Sequence, residues 1–308
     1  MSRDAFSHDP QDLRDPSPAR LAARHERIPS TPRGDRDTTG ETDARDDTGE
    51  RDKPREAQSA AERDYYVRDR AYRLRDSEIH SMKEIGTFRV IAAPDLVEYA
   101  YGGIRERMEA DLRRLKREAL VSEKTLEISQ RKTLRVVTLT KAGHRLLKRT
   151  SQLPDDQAIY HGLLKWREAQ HDADLYRLYQ KEVVRIERVG GRPVRVILDY
   201  EITRNLNRDL ALLGPEKDDP RLKEGVAKKH GLAIVNGKIP VPDMRVEYED
   251  AELVLQRVDL ELVTREYRPR SLAEKAKAGF AIYGRAEDAS RLRRILDERE
   301  LTREIRTL

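Results

Sequence analysis

Residues 104–147 read IRERMEADLRRLKREALVSEKTLEISQRKTLRVVTLTKAGHRLL, and their pattern decides the fold around them. Along 104–121, Ile104, Met108, Leu112, Leu115 and Ala119 recur at helical spacing on one face. The other faces carry Arg105, Arg107, Arg113, Arg114, Lys116 and Arg117. TLEIS and TLRVVTL then alternate as two strands around the polar link Gln130-Arg131-Lys132, which predicts a hairpin. Thr140 is placed to cap a following helix, KAGHRLLKR. Upstream, Asp76 or Ser77 is an N-cap for a helix over SEIHSMKEIGTFRVIA, with Ile79, Met82, Ile85 and Val90 near helical spacing. Pro94 ends that helix and opens a short second one, DLVEYAY, and Gly102-Gly103 supplies a tight turn.

The charge balance singles out the same segment. The chain has 308 residues, 62 basic and 57 acidic, a net of +5. Residues 104–149 alone hold 14 basic and 6 acidic side chains, an excess larger than that of the whole protein. A local basic field of this kind is what a polyanion-binding surface requires.

Elsewhere composition excludes more than it assigns. With 39% charged and 37% hydrophobic residues the chain is too polar to be packed throughout. The shortage of apolar residues lies in residues 1–64, a charged tail read as disordered, and ordered structure is expected from about Tyr65, with DYYVRDRAYRLRDSEIH read as one or two helical pieces. The absence of cysteine excludes disulfides, thiol nucleophiles and cysteine-ligated metals. No apolar run approaches the ~18–20 residues of a membrane span, and MSRDAFSHDPQDLRD lacks the apolar core of a secretory signal, so a soluble cytoplasmic protein is expected with no membrane partner.

The order of helix, short helix, turn, helix, hairpin and helix over 74–150 resembles the winged helix-turn-helix domain. The third-helix ending LRRLKREALV and the exit RVVTLTKAGHRLL carry the resemblance, the second being similar to the LT-x-x-G-x-x-L signature that follows the wing. It implies that the third helix enters a DNA major groove while the wing touches the backbone or minor groove. Arg105, Arg107, Arg113, Arg114, Arg117, Arg131 and Lys132 are the candidate DNA contacts. A merely solubilising basic helix, or a winged domain that contacts protein, is the competing reading.

From residue 151 to 308 helices and strands mix, so the fold class is α+β, the last part read as an α/β domain. QAIYHGLLKWREAQHDADLYRLYQKEVVRIERV predicts a long helical region in which Trp166 and Tyr176 are core. RVILDYEI predicts a strand with Asp199 and Glu201 on one face. Strands are also read at IPVPDMRVEYE and at AELVLQRVDLELVTREY, with SLAEKAKAGFAIYGR a helix. In VDLEL, alternation places Asp259 and Glu261 on one strand face. With Asp243 and Lys275 or Lys277, they form a candidate catalytic set, in which carboxylates could hold Mg²⁺ and position a water against a phosphodiester.

This pattern resembles the PD-(D/E)xK nuclease superfamily, which implies a restriction-endonuclease-like α/β fold for 151–308, with Val263 where that motif has its lysine and Lys275 or Lys277 on the following helix as the replacement. Pro242-Asp243, Asp259-Leu260-Glu261, Thr264, Lys275 and Tyr283 together resemble the replication-relaxation family of bacterial plasmid and mobile-element proteins. That resemblance implies a role in replication, mobilisation or their transcriptional control, with replication or mobilisation proteins as partners. It leaves catalysis open. No cofactor is expected for DNA binding, and Mg²⁺ on Asp243 and Glu261 enters only if the protein is a nuclease. Solvated strand acids and a nuclease-like fold used as a platform are the bland readings of the same residues. His161, His171, Asp172 and Asp174 are a weaker metal set, read chiefly as solvated or capping residues. Gly190-Gly191 is a turn, since no phosphate-binding loop or serine-nucleophile elbow is present. Leu292, Ile295, Leu296 and Leu301 of the last helical stretch can pack on the core or pair with a second copy in a homodimer.

Overall fold

The computed structural model describes residues 61–308, apart from 69, 130, 131, 151, 152, 155, 163–167, 265, 266 and 299–304. The sequence reading of the tail therefore lies almost wholly outside the described residues, as do those of Trp166 and Leu301. The fold is mixed α+β. No helix among the described residues is long and apolar enough to cross a membrane.

The described chain opens with a hairpin, β1 (Glu62–Val67) and β2 (Arg70–Arg75), where the sequence predicts helix. Tyr65, Val67, Tyr72 and Leu74 alternate with the exposed Tyr66, Ala71 and Arg73, and this period of two buries Tyr72 and Leu74 while Arg73 stays out. The helical reading misses that alternation because the interspersed Arg and Asp residues also suit an exposed helix.

The next elements are α1 (Asp76–Phe88), β3 (Ile91–Ala92), α2 (Ala93–Ala100), α3 (Arg105–Arg117), β4 (Val121–Ser129), β5 (Lys132–Leu139) and α4 (Lys141–Thr150). Their sheet has the order β3-β5-β4, the topology of a winged helix. Helix α1 ends earlier than its periodicity predicts. Arg89 turns to φ 66°, its guanidinium stacks 4.1 Å from the Tyr200 ring centroid, and after the buried Val90 the chain continues from the β-branched Ile91 as buried strand. Helix α3 stops at Ala119, whose φ is 55°. Leu120 N then closes on Leu115 O at 2.9 Å and drops the Leu120 side chain into the core.

The exit signature has a direct physical cause. Leu139 and Leu146 are buried. Thr140 Oγ1 accepts from Gly143 N at 3.1 Å and donates to Ala119 O at 2.6 Å. A Cβ on Gly143 would stand 2.1 Å from Leu120 O, so α4 can lie against the α3–β4 corner only if that position is glycine.

The second half contains α5 (Ala169–Arg188), β6 (Arg192–Leu198), α6 (Asp199–Leu212), α7 (Pro220–Lys229), β7 (Met244–Glu249), β8 (Leu255–Val263), α8 (Pro269–Lys277), β9 (Ala281–Gly284), α9 (Ala289–Asp297) and β10 (Ile305–Thr307). The five-stranded sheet has the order β10-β9-β8-β7-β6. Strands β6, β7 and β8 run antiparallel, and β8, β9 and β10 run parallel, with α8 as the crossover from β8 to β9. Three local readings change. Asp199 and Glu201 are in the first turn of α6, not on a strand. Ala281–Gly284, read as the end of a helix, is β9, because Gly279 at φ 94° ends α8 and a buried Phe280-Ala-Ile-Tyr run follows. Residues 157–162 are not helical. Gln157 instead pairs its side-chain amide with the backbone of β6, Nε2 to Val196 O at 2.9 Å and Oε1 from Val196 N at 2.9 Å, satisfying groups on the outer edge of that strand.

The described residues fall in one compact unit. Its largest core cluster runs from Met82, Leu96 and Leu112 through Tyr176 and Leu178 to Val246 and Leu260. Gly143→Ala should lower stability by about 2–3 kcal/mol through overpacking against a carbonyl. Gly225→Ala, on α7 where a Cβ meets open space, should raise it by about 0.5–1 kcal/mol. Urea-melt midpoints of the two variants test both signs.

Candidate nucleic-acid interface and acid–lysine cluster

At about 100° per residue, Met108, Asp111, Leu112 and Leu115 cover one side of α3, and Arg113 and Arg117 point the opposite way. What holds α3 is polar as well as apolar. Asp111 is fully buried and accepts from Arg75 Nη1 at 3.1 Å, Ser77 Oγ at 2.6 Å and Tyr101 Oη at 3.1 Å. Ser81 Oγ lies 2.7 Å from the same tyrosine oxygen, so one network ties β2, α1, α2 and α3 together.

The basic residues of this segment then divide. Arg114 lies 2.8 Å from the buried Glu78 and 2.8 Å from Glu62, and also reaches Arg73 O at 3.1 Å. Burial pushes the Glu78 carboxyl above its usual range, so Arg114 is the counter-charge of a buried acid. Lys116 pairs with Glu123 at 2.9 Å, and Arg135 of β5 bridges Glu123 at 2.5 Å and Glu109. Arg105, Arg107, Arg113 and Arg117 are exposed and have no carboxylate partner within ion-pair distance among the described residues. Arg131 lies outside the described residues, as does the side chain of Lys132.

The second site gathers at one end of the large sheet. Asp243 precedes β7, Glu261 is on β8 and Lys275 is on α8. Lys275 Nζ lies 2.8 Å from Glu261 Oε1 and 2.9 Å from Oε2. Tyr267 Oη donates to the same carboxylate, and Asp243 N reaches Glu261 Oε2 at 3.3 Å. Asp243 Oδ2 accepts from Leu262 N at 2.8 Å and lies 3.5 Å from His171 Nε2 on α5. Asp199 N donates to Asp243 O at 3.0 Å. The sequence reading brings together Asp243, Glu261 and Lys275. It misses Tyr267, whose place beside Glu261 depends on the turn between β8 and α8, and it treats His171 only as part of a separate set.

Asp259 does not join them. Arg245, its cross-strand neighbour, grips it at 2.6 and 2.9 Å and also caps the end of α7 through His230 O at 2.7 Å. Asp174, the proposed one-turn partner of His171, turns to Arg285 at 2.5 Å. His161 packs on His144 with ring centroids 4.9 Å apart. Glu201 pairs with Arg195 at 2.7 Å. Tyr283 donates to the buried Glu182 from β9.

Burial, followed by the Asp243 charge, pushes the Glu261 carboxyl up to about 7 against the pull of Lys275. Burial alone would lower His171, but the neighbouring carboxylates of Asp172, 3.9 Å away, and Asp243 outweigh it and raise it to about 10. Burial, with the charges of Asp243 and Asp172, raises Asp199. The cluster therefore carries two cations, Lys275 and protonated His171, among its acids.

The arrangement does not fit Mg²⁺. Such an ion needs carboxylate oxygens at ~2.0–2.1 Å in a near-octahedral set, while the Glu261 side chain is fully buried with both oxygens engaged by Lys275. Among the described residues no group of three Asp, Glu or His side chains is placed to share a metal. No cleavage step follows from this geometry.

No family model matches the chain, and no curated protein does. Among solved structures it is similar to PadR of Bacillus subtilis in complex with operator DNA, at 11% identity and a TM-score of 0.20, over 49% of this chain and 90% of that one. The resemblance to replication-relaxation proteins thus rests on its short motifs.

The two shifted groups give opposite pH signatures to their variants. His171 is raised, so its stabilisation is complete below about pH 6.5 and is lost as pH rises through about 10. The stability gap between the protein and His171→Asn should therefore shrink between those pH values. Glu261 is raised from 4.5 to about 7, so the folded state loses stability across that interval as pH rises. Glu261→Gln should remove this loss. Urea denaturation at a series of pH values reads both.

Proposed function

We propose that this chain is a DNA-binding protein that docks α3 in the major groove of a duplex. The observation that carries the reading is the set of exposed arginines Arg105, Arg107, Arg113 and Arg117, which have no carboxylate within ion-pair distance among the described residues, on a helix locked from behind by the Asp111 network. A rigid helix with free cations on its outward face meets phosphates and guanine edges without first breaking ion pairs. Arg131 and Lys132, read from the sequence, would add wing contacts to the backbone. The motifs at Pro242-Asp243, Asp259-Leu260-Glu261, Thr264, Lys275 and Tyr283 support a place in the replication, mobilisation or transcriptional control of a plasmid or mobile element.

A second reading, metal-dependent phosphodiester cleavage, is favoured by one observation, the convergence of Asp243, Glu261 and Lys275. It requires Lys275 and Tyr267 to release Glu261 before an ion is held by Glu261 and Asp243. The closed carboxylate makes this the weaker reading.

Duplex binding titrated with salt tests the first reading. Each phosphate contact contributes about 0.9 to the slope of log affinity against log salt. Arg113→Ala with Arg117→Ala should lower that slope by up to about 1.8 and weaken binding at least tenfold. Arg114→Ala should leave the slope in place but cost about 3 kcal/mol of stability, because it strands the buried Glu78. No duplex affinity at low salt would overturn the proposal in favour of a protein-contact role. Cutting that needs Mg²⁺ and disappears in Asp243→Asn would promote the second reading.

A further inference from the structure

We infer that the chain has a second nucleic-acid site, independent of α3, in an open groove between the C-terminal half of α5, α9 and the edge strand β10. The groove has a volume of about 520 Å³. Lys181, Arg185 and Arg188 of α5, Arg293 of α9 and Arg306 of β10 line it, with Tyr99 of α2 at one side. The ligand it fits is a phosphodiester backbone.

Three of these five cations keep their charge available for a structural reason. The acid behind two of the lining residues, Glu182, is buried and already neutralised: Arg306 Nη1 lies 2.8 Å away and Tyr283 donates to it. Arg185 lies 3.8 Å from the same carboxylate. This anchor pins β10 to α5 and uses up the local negative charge. Lys181, Arg188 and Arg293 are left exposed, with no carboxylate partner within ion-pair distance among the described residues. They come from two elements flanking an open groove, which suits successive phosphates of a strand better than one enclosed anion. Tyr99 is about one-third exposed and held edge-on against Tyr176 at 5.9 Å, so the rim offers a fixed ring on which a base can stack.

The groove is separate from the acid–lysine cluster. His171 marks that cluster near the start of α5, whereas the groove cations are at positions 181–188 on the same helix. At 1.5 Å per residue the separation is roughly 15–25 Å along the axis. Lys181, Arg185 and Arg188 fall outside the basic stretch 104–149, in a region where basic and acidic residues nearly balance, so charge counting along the chain gives no hint of them.

The test is fluorescence anisotropy on the full chain against salt, with a 30-nucleotide single strand and a 30-base-pair duplex. The proteins compared are the parent, Lys181→Glu/Arg188→Glu/Arg293→Glu, and Arg113→Ala/Arg117→Ala. The groove variant should lose at least tenfold in affinity on one probe or both. Its salt slope should fall by about 2–3, at 0.7–0.9 per lost contact. Loss on the single strand alone identifies a single-strand site, and loss on the duplex identifies an extension of the α3 footprint. Parent-like affinity and slope on both probes overturn the inference. If the groove variant weakens binding while the α3 variant does not, the groove stands and the α3 reading fails. Lys181→Gln/Arg188→Gln/Arg293→Gln, with melting curves for every variant, separates lost contacts from lost folding. A polyglutamate peptide that displaces the oligonucleotide as well as unlabelled DNA does would overturn the nucleic-acid assignment.

Discussion

Helix α5 is the constraint on which the rest of the structure depends. It is buried on two sides, and each side belongs to a different half of the fold. Towards the winged helix, Tyr176 packs edge-on against Phe88 at 5.1 Å, and Arg177 grips Asp95 at 2.8 and 3.0 Å. Towards the sheet, Asp174 holds Arg285, Glu182 holds Arg306, and His171 meets Asp243. A helix whose apolar face serves two partners cannot tilt towards one without unpacking the other. Burying a ring the size of Tyr176 is worth about 3 kcal/mol, so such a tilt costs a substantial share of the stability typical of a folded domain.

A second theme is the sorting of like residues by their buried neighbours. Arg113 and Arg114 are adjacent in sequence and chemically identical. Arg114 faces the buried Glu78 and becomes structural, whereas Arg113 points the other way, exposed and without an ion-pair partner among the described residues. The same rule separates Asp259 from Glu261. Both are on one face of β8, but Arg245 stands opposite the first and Lys275 approaches the second. The partner that arrives from another element decides whether a charged side chain supports the fold or remains available to a ligand. In the acid–lysine cluster that partner also closes the site, because the lysine occupies the carboxylate a metal would need.

Much of the winged-helix half is legible in the sequence because its signals are local. The spacing of Met108, Leu112 and Leu115, the turn glycines at 102 and 103, the cap at Thr140 and the glycine at 143 each act within a few residues of themselves. The period of two in β5 sends Val137 and Leu139 to the main core, and Val136 on the other face is buried in a smaller cluster. Where two periods compete the reading fails. Glu62–Arg75 alternates at two but carries the charges of an exposed helix, and pairing with a second strand settled it as a hairpin. Asp199 fails for a related reason: β6 runs directly into α6, and no glycine or proline marks the boundary.

The sequence by itself determined the α+β class, the winged-helix order, the concentration of positive charge on α3 and its flanks, and the residue types at the start of β7 and the end of β8. Those features depend on neighbours along the chain. Only the tertiary structure decided that α5 joins both halves in one core, that Tyr267 and Lys275 cover Glu261, that Arg114 is spent on Glu78, and that cations from α5 and α9 line one groove. These depend on pairs far apart in sequence, such as Glu182 and Arg306, which meet because the chain buries apolar surface and leaves each charge to the partner that packing brings within reach.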